Sequence, residues 1–316
     1  MKVENYTYLS HDDINTSIHA VKWLPEIEVK ATLMIAHGVQ EYIERYKEFG
    51  EYLTDLGYVV YGHDHIGHGD SVRDPKERGI MYTADPTGVM VEDMYTQYQE
   101  MINDYPDIPH FILGHSMGSY LLRRFLSDKA DHLDTCDGAI IMGTGSENNT
   151  AIIAGKMFIL LLAKLKGWNY YSKTVQNLCF GSSSYKGFNM DGSVPEDSWL
   201  SHNVESVKAY YQDPKDTFKV SLNGYWVLLE TAADANNKNK INRIPKDLPL
   251  LVVSGDQDPV GGLGKGVKAS YNYFKEAGIK DVTLKLYEGD RHELLQELDR
   301  QTVFKDLYDW MEAHAG

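Results

Sequence analysis

Residues 110–129 read HFILGHSMGSYLLRRFLSDK, and this stretch restricts the fold more than any other. HFILGHS is a run of β-forming residues, while MGSYLLRRFLSDK repeats its apolar positions at helical spacing. A strand that turns this abruptly into a helix sends that helix back along the sheet, which begins a βαβ unit. The same alternation recurs elsewhere. YTYLS (6–10) and IHAVKW (18–23) suit an antiparallel entry hairpin. ATLMIAHG (31–38) reads as a buried strand, RYKEFGEYLTDLG (45–57) as a helix stopped by Gly57, and YVVYGHD (58–64) as the next strand. A helix fits 87–104, and strands fit GAIIMGTG (138–145), LPLLVVSGD (248–256) and VTLKLYEG (282–289). Helices near 263–277 and 294–313 complete the pattern. The expected fold is α/β, with a mostly parallel central sheet and helices on both faces.

Residues 146–242 break the alternation. They are rich in aromatics, asparagine and serine, show helical stretches and contain no clear strand. A connection of this length is not expected to be structureless. The chain therefore divides into a core, 1–145 with 243–316, and an inserted helical cap, 146–242, set over the C-terminal edge of the sheet, where such folds place their sites. AIIAGKMFILLLAKLKG (151–167) opens the cap. It is shorter than the roughly 20 apolar residues of a membrane span. Two readings stand together: a helix buried in the domain, and a lid helix whose apolar face meets acyl chains or a lipid surface.

Bulk properties exclude some functions. A formal charge of −15 opposes nucleic-acid binding and a polybasic membrane anchor. Cys136 and Cys179 are the only cysteines, so reduced thiols are expected rather than a disulfide scaffold. MKVENYTYLSHDD has no apolar stretch of the secretory kind, and a cytoplasmic location is the default expectation. YGHDHIGHGDS (61–71) places His63, His65 and His68 beside Asp64 and Asp70, which raises the question of a metal. Gly67 stands where the H-x-H-x-D-H pattern of zinc hydrolases needs aspartate, and no second cluster follows. No metal and no cofactor are expected.

Gly114-His115-Ser116-Met117-Gly118 is a G-x-S-x-G pentapeptide set between strand and helix. Such a turn lifts the serine hydroxyl to the sheet edge and puts the next N–H, that of Met117, at a helix N-terminus where an oxyanion is stabilised. Gly114, His115 and Gly118 support the turn. Serine needs a base held by a third group, and in this architecture the order is Ser, acid, His. His292, in YEGDRHELL, follows the last strand and opens the last helix, whereas His314 suits a solvated tail and His202, within the cap, a surface or pocket-lining position. In SGDQDPVG, Asp258 precedes a proline deep in the loop and is the chosen acid, with Asp256 as a turn residue. The strand at 138–145 ends without a carboxylate, leaving only Glu147 nearby. A second oxyanion donor is expected from His37-Gly38-Val39-Gln40, where Gly38 lets the Val39 N–H turn inward; His37 is structural.

HGVQEYIERY (37–46), DHIGHGDS (64–71), GHSMGS (114–119), SGDQDPVG (254–261) and YEGDRHELL (287–295) together resemble one family. It is the monoacylglycerol lipase and lysophospholipase group of α/β-hydrolases, also grouped with the serine aminopeptidases. The match covers residues 30–145 and 245–313. The resemblance implies Ser116, Asp258 and His292 as triad, Val39 and Met117 as oxyanion hole, and a small-molecule acyl ester as substrate. Gln40 departs from it, since many members carry a small residue there. Two other functions stay open on the same fold. One is an aminopeptidase, which needs a cap carboxylate such as Glu147, Glu196, Glu205 or Glu230; the other is a non-catalytic ligand receptor. The oligomeric state is not expressed in these motifs.

Overall fold

The computed structural model describes residues 1–146 and 148–316. Its strands are β1 (Lys2–Leu9), β2 (Ser17–Leu24), β3 (Ala31–Ala36), β4 (Tyr58–His63), β5 (His110–His115), β6 (Gly138–Met142), β7 (Leu250–Gly255) and β8 (Val282–Tyr287). They form one sheet in the order β1-β2-β4-β3-β5-β6-β7-β8. β1 and β2 make the expected antiparallel hairpin, longer than their apolar cores suggest, and β2 also pairs antiparallel with β4. Every pairing from β4 to β8 is parallel. β3 to β7 are buried along their whole length, as a sheet covered on both faces requires.

The helices are α1 (Lys47–Asp55), α2 (Pro86–Asp104), α3 (Met117–Asp128), α4 (Asn149–Lys166), α5 (Lys173–Cys179), α6 (Val204–Gln212), α7 (Leu222–Ala235), α8 (Lys238–Ile241), α9 (Lys265–Glu276) and α10 (Arg300–His314). One face of the sheet packs apolar residues of α2, α3 and α9 (Met94, Leu122, Phe274), the other those of α1 and α10 (Phe49, Phe304). β3 pairs with β4 on one side and β5 on the other, so the loops leaving β3 and β5 diverge and open a crevice at their C-terminal ends. α4 to α8 lie between β6 and β7 in the chain.

Two expectations need correction. The last helix starts at Arg300 rather than near 294, because residues 294–296 form a single 3-10 turn. Glu297 then turns its buried carboxylate onto the main-chain N–H groups of Arg291, His202 and Leu298. The buried-helix reading of 151–167 also fails. In α4 only Ile152, Ile159 and Ala163 are buried, while Ile153, Met157, Leu161 and Leu165 are each more than half exposed. No described helix is long and apolar enough to cross a membrane.

Candidate active site

Ser116 sits between β5 and α3 with φ 52° and ψ −121°, a conformation that L-residues rarely adopt. Its N–H donates to the Met142 carbonyl at 3.0 Å, and its own carbonyl accepts from Ser119 N–H at 2.9 Å. The flanking glycines are required by contact. A Cβ on Gly118 would stand 2.1 Å from the Ala36 carbonyl oxygen, and one on Gly114 would stand 2.4 Å from that of Gly118. Neither has a positive φ, so their role is to let α3 press against β3 and β5.

Gly38 acts in the same way, which corrects the expectation of a glycine-specific turn. A Cβ there would lie 2.8 Å from Ser116 Cβ and 2.5 Å from Glu41 Oε1. The left-handed residue of this loop is Gln40 (φ 56°), whose side-chain amide donates to the Phe218 carbonyl at 2.6 Å. The departure from the family pattern at Gln40 thus fastens the loop to the segment between β6 and β7. His37 is structural as expected: its Nδ1 donates to the Gly38 carbonyl and its Nε2 accepts the His65 N–H.

His292 and Asp258 are brought together. His292 Nδ1 lies 3.0 Å from Asp258 Oδ2, and both residues are buried. Asp258 also accepts from Ser254 Oγ (2.9 Å) and Val260 N–H (2.8 Å). Burial opposes its charge, yet His292 and these donors hold the carboxyl below its ordinary range. Asp256 is used elsewhere, accepting the Gly289 N–H at 2.9 Å and so joining the loops after β7 and β8. His202 is held by Glu297 and His314 by Asp281 and the Trp310 carbonyl.

Ser116, His292, Val39 and Met117 line one cavity of about 490 Å³. Its walls come from α4 (Ile152, Phe158, Ile159), α5 (Val175, Leu178) and α7 (Leu228, Leu229), with Phe180, Tyr185 and Trp199 between. Trp199 stacks on the His292 imidazole, ring centroids 5.1 Å apart and planes 27° from parallel. Behind the cavity is a buried charged group the motifs do not announce. Arg45 makes a two-pronged pair with Glu293 (2.6 and 3.0 Å) and also meets Glu41 and Asp216. Glu41 falls within HGVQEYIERY, and asking which carboxylate caps the Gly38 N–H is the one sequence signal that leads to it.

The histidine-rich loop lies beside this site without entering the cavity wall. Asp64 is spent on the N–H groups of Ile43 and Asp70 (both 2.8 Å) and on His19 Nδ1 (3.0 Å). Among the described residues, the one group spaced to hold a metal is His19, Asp64 and Asp70, not the three histidines of the motif.

The strand order, the sharp turn after β5 and the helical insertion after β6 define an α/β-hydrolase. Residues 27–299 match the model of the serine aminopeptidase S33 family, and the chain belongs to that family. It is 29% identical to the monoglyceride lipase homolog of monkeypox virus, over 94% of this chain and 95% of the viral protein. It is 28% identical to human monoglyceride lipase, over 92% and 84%. Among solved structures, a thermostable carboxyl esterase from Bacillus coagulans in complex with glycerol superposes with a TM-score of 0.88, 24% identity and 99% coverage of both chains.

Proposed function

We propose that the protein is a serine ester hydrolase that cleaves monoacylglycerol- or lysophospholipid-type esters through an acyl-enzyme on Ser116. The observation that carries this reading is the placement of Ser116, on its strained turn, and of His292, backed by the buried Asp258, in one largely apolar cavity wall. Because Asp258 takes the Nδ1–H of His292, Nε2 is the nitrogen left to accept a proton. Ser116 Oγ attacks the ester carbonyl as Nε2 takes its proton, and the Val39 and Met117 N–H groups receive the oxyanion. Nε2 then protonates the departing alcohol, and a water deprotonated by the same nitrogen releases the acid. The monoglyceride lipase relatives support the substrate class.

An aminopeptidase needs a free carboxylate facing the substrate amine. Glu196 and Glu205 are exposed and outside the cavity wall, Glu230 pairs with Lys156 and Arg124, and Glu147 lies outside the described residues. The described carboxylates in the wall, Glu41 and Glu293, are already bound by His115 and Arg45. Esters are therefore favoured. A fluorophosphonate probe is expected to label the parent and not Ser116→Ala, and p-nitrophenyl acyl esters are expected to be cleaved in preference to aminoacyl-amides. An unlabelled parent protein would place the chain with non-catalytic homologues.

On this reading 146–242 is a lid, and the outward face of α4 meets aggregated lipid. Ile153, Met157, Leu161 and Leu165 supply the apolar surface, and cysteines not joined in a disulfide suit a cytoplasmic enzyme. Replacing Leu161 and Leu165 together by Asp is expected to cut co-sedimentation with phospholipid vesicles and hydrolysis of vesicle-borne monoacylglycerol several-fold. Cleavage of p-nitrophenyl acetate should stay unchanged. Equal vesicle binding by both proteins would remove α4 from this role.

A further inference from the structure

His115 is buried, and both of its ring nitrogens face acceptors. Nδ1 lies 2.8 Å from Glu41 Oε1, and Nε2 lies 3.2 Å from the main-chain carbonyl oxygen of His292. A neutral imidazole has one N–H and one lone pair, so it would set that lone pair against one of these oxygens. Glu41 does not relieve the conflict by carrying the proton. Its carboxylate already receives the Gly38 N–H, the Tyr46 hydroxyl (3.0 Å) and an Arg45 N–H (3.3 Å), which leaves it an acceptor throughout.

The remaining surroundings agree. Arg45 and Tyr46 face the pair from the turn before α1, and His37 from the loop after β3. Glu293 lies beside it in the loop after β8, bound to Arg45, with Asp216 behind that arginine. The His292 ring, backed by Asp258, packs 4.8 Å from the His115 ring. Burial disfavours a charge on either partner. Even so, Glu41 raises His115 above the ordinary histidine value, and His115 with Arg45 holds Glu41 well below the carboxylate range.

We propose that His115 is a doubly protonated clip that joins the oxyanion loop to the loop of His292. This rests on the roles given above to Ser116, His292 and the Val39 N–H. Glu41 holds the Gly38 N–H, and with it the peptide that leads to Val39; the other end of the clip holds the carbonyl of the base itself. The spacing between base and oxyanion donor is thereby set by a residue that acts on the reaction through others. His115 is a positioning residue. Its working form is the charged one, so the clip is intact below the raised value of His115 and is lost as pH rises through it.

The test begins with the parent protein labelled with 15N at histidine, held just above the ordinary histidine value of roughly 6.5. One buried imidazole is expected to carry protons on both nitrogens, and that signal should vanish in His115→Gln and become a neutral ring in Glu41→Gln. Against p-nitrophenyl esters, with background hydrolysis subtracted, Glu41→Gln should move the alkaline loss of kcat downward by about one pH unit or more. His115→Gln, which cannot titrate, should show a kcat lowered roughly 10-fold without that alkaline limb. A singly protonated His115 in the parent would overturn the proposal, as would an alkaline limb unmoved in Glu41→Gln. The spectrum decides even where a variant fails to fold. Failure of the fluorophosphonate to label Ser116 would instead strike the catalytic reading and leave the protonation of His115 measurable.

Discussion

Ser116→Ala is expected to lower kcat/KM toward acyl esters by about 10⁴-fold or more, with the remaining rate owed to binding and the oxyanion donors. Asp258→Asn is expected to fall by a comparable factor, because an amide in place of the carboxylate no longer fixes Nδ1 of His292 as the proton-bearing nitrogen. Stability separates these losses from unfolding. Ser116→Ala keeps the φ of 52° and deletes one oxygen from a cavity wall, so its melting temperature should match the parent. Ser116→Gly removes the cost of that backbone geometry, typically about 1–3 kcal/mol, and should melt higher while being equally inactive. Steady-state kinetics and calorimetry on the three variants are sufficient. An Ala variant that retains a tenth of the parent rate would rule out an acyl-enzyme on Ser116.

The alternation of buried runs with amphipathic stretches was enough to set out the order of strands and helices, because burial between two helix layers leaves continuous apolar strands. It also located the turn around Ser116, since a strand running straight into a helix is a local property. α4 was harder. Its apolar run is the same whether core, cavity or solvent lies alongside, and the exposure of Met157 and Leu165 depends on neighbours distant in sequence. The charged group behind the cavity was missed for a related reason. Glu41 meets His115 across 74 residues and Arg45 meets Glu293 across 248, so no spacing rule reports either pair. Trp199 on His292 belongs to the same kind of contact.

The histidines of YGHDHIGHGDS have a consequence of their own, in acid. His63, His65 and His68 are fully buried beside His37, ring against ring at 4.3 to 6.3 Å. His68 donates from Nδ1 to the Ile66 carbonyl at 3.1 Å, while its Nε2 has no protein partner among the described residues. Burial, then the neighbouring imidazole of His37, pushes His68 down to about 3. Burial likewise pushes His63 down to about 4 and His65 well below the ordinary value. A histidine whose folded value is depressed stays neutral in the native state while the unfolded chain takes up a proton below roughly 6.5. Its contribution is whole above that pH and is lost as pH falls toward the folded value. For His68 the loss is about 1.4 kcal/mol per pH unit, reaching about 4 kcal/mol near pH 3. Burial raises Asp93 to about 6, Asp290 to about 7 and Asp216 to about 8, and these carboxyls act with the opposite sign. They are common to parent and variant, so a difference measurement cancels them. Urea unfolding of the parent and of His68→Leu from pH 7 to pH 4 is therefore expected to diverge by one proton's slope, with the variant losing less stability in acid. Parallel curves would mean that His68 is already protonated in the native state, or that water reaches its Nε2.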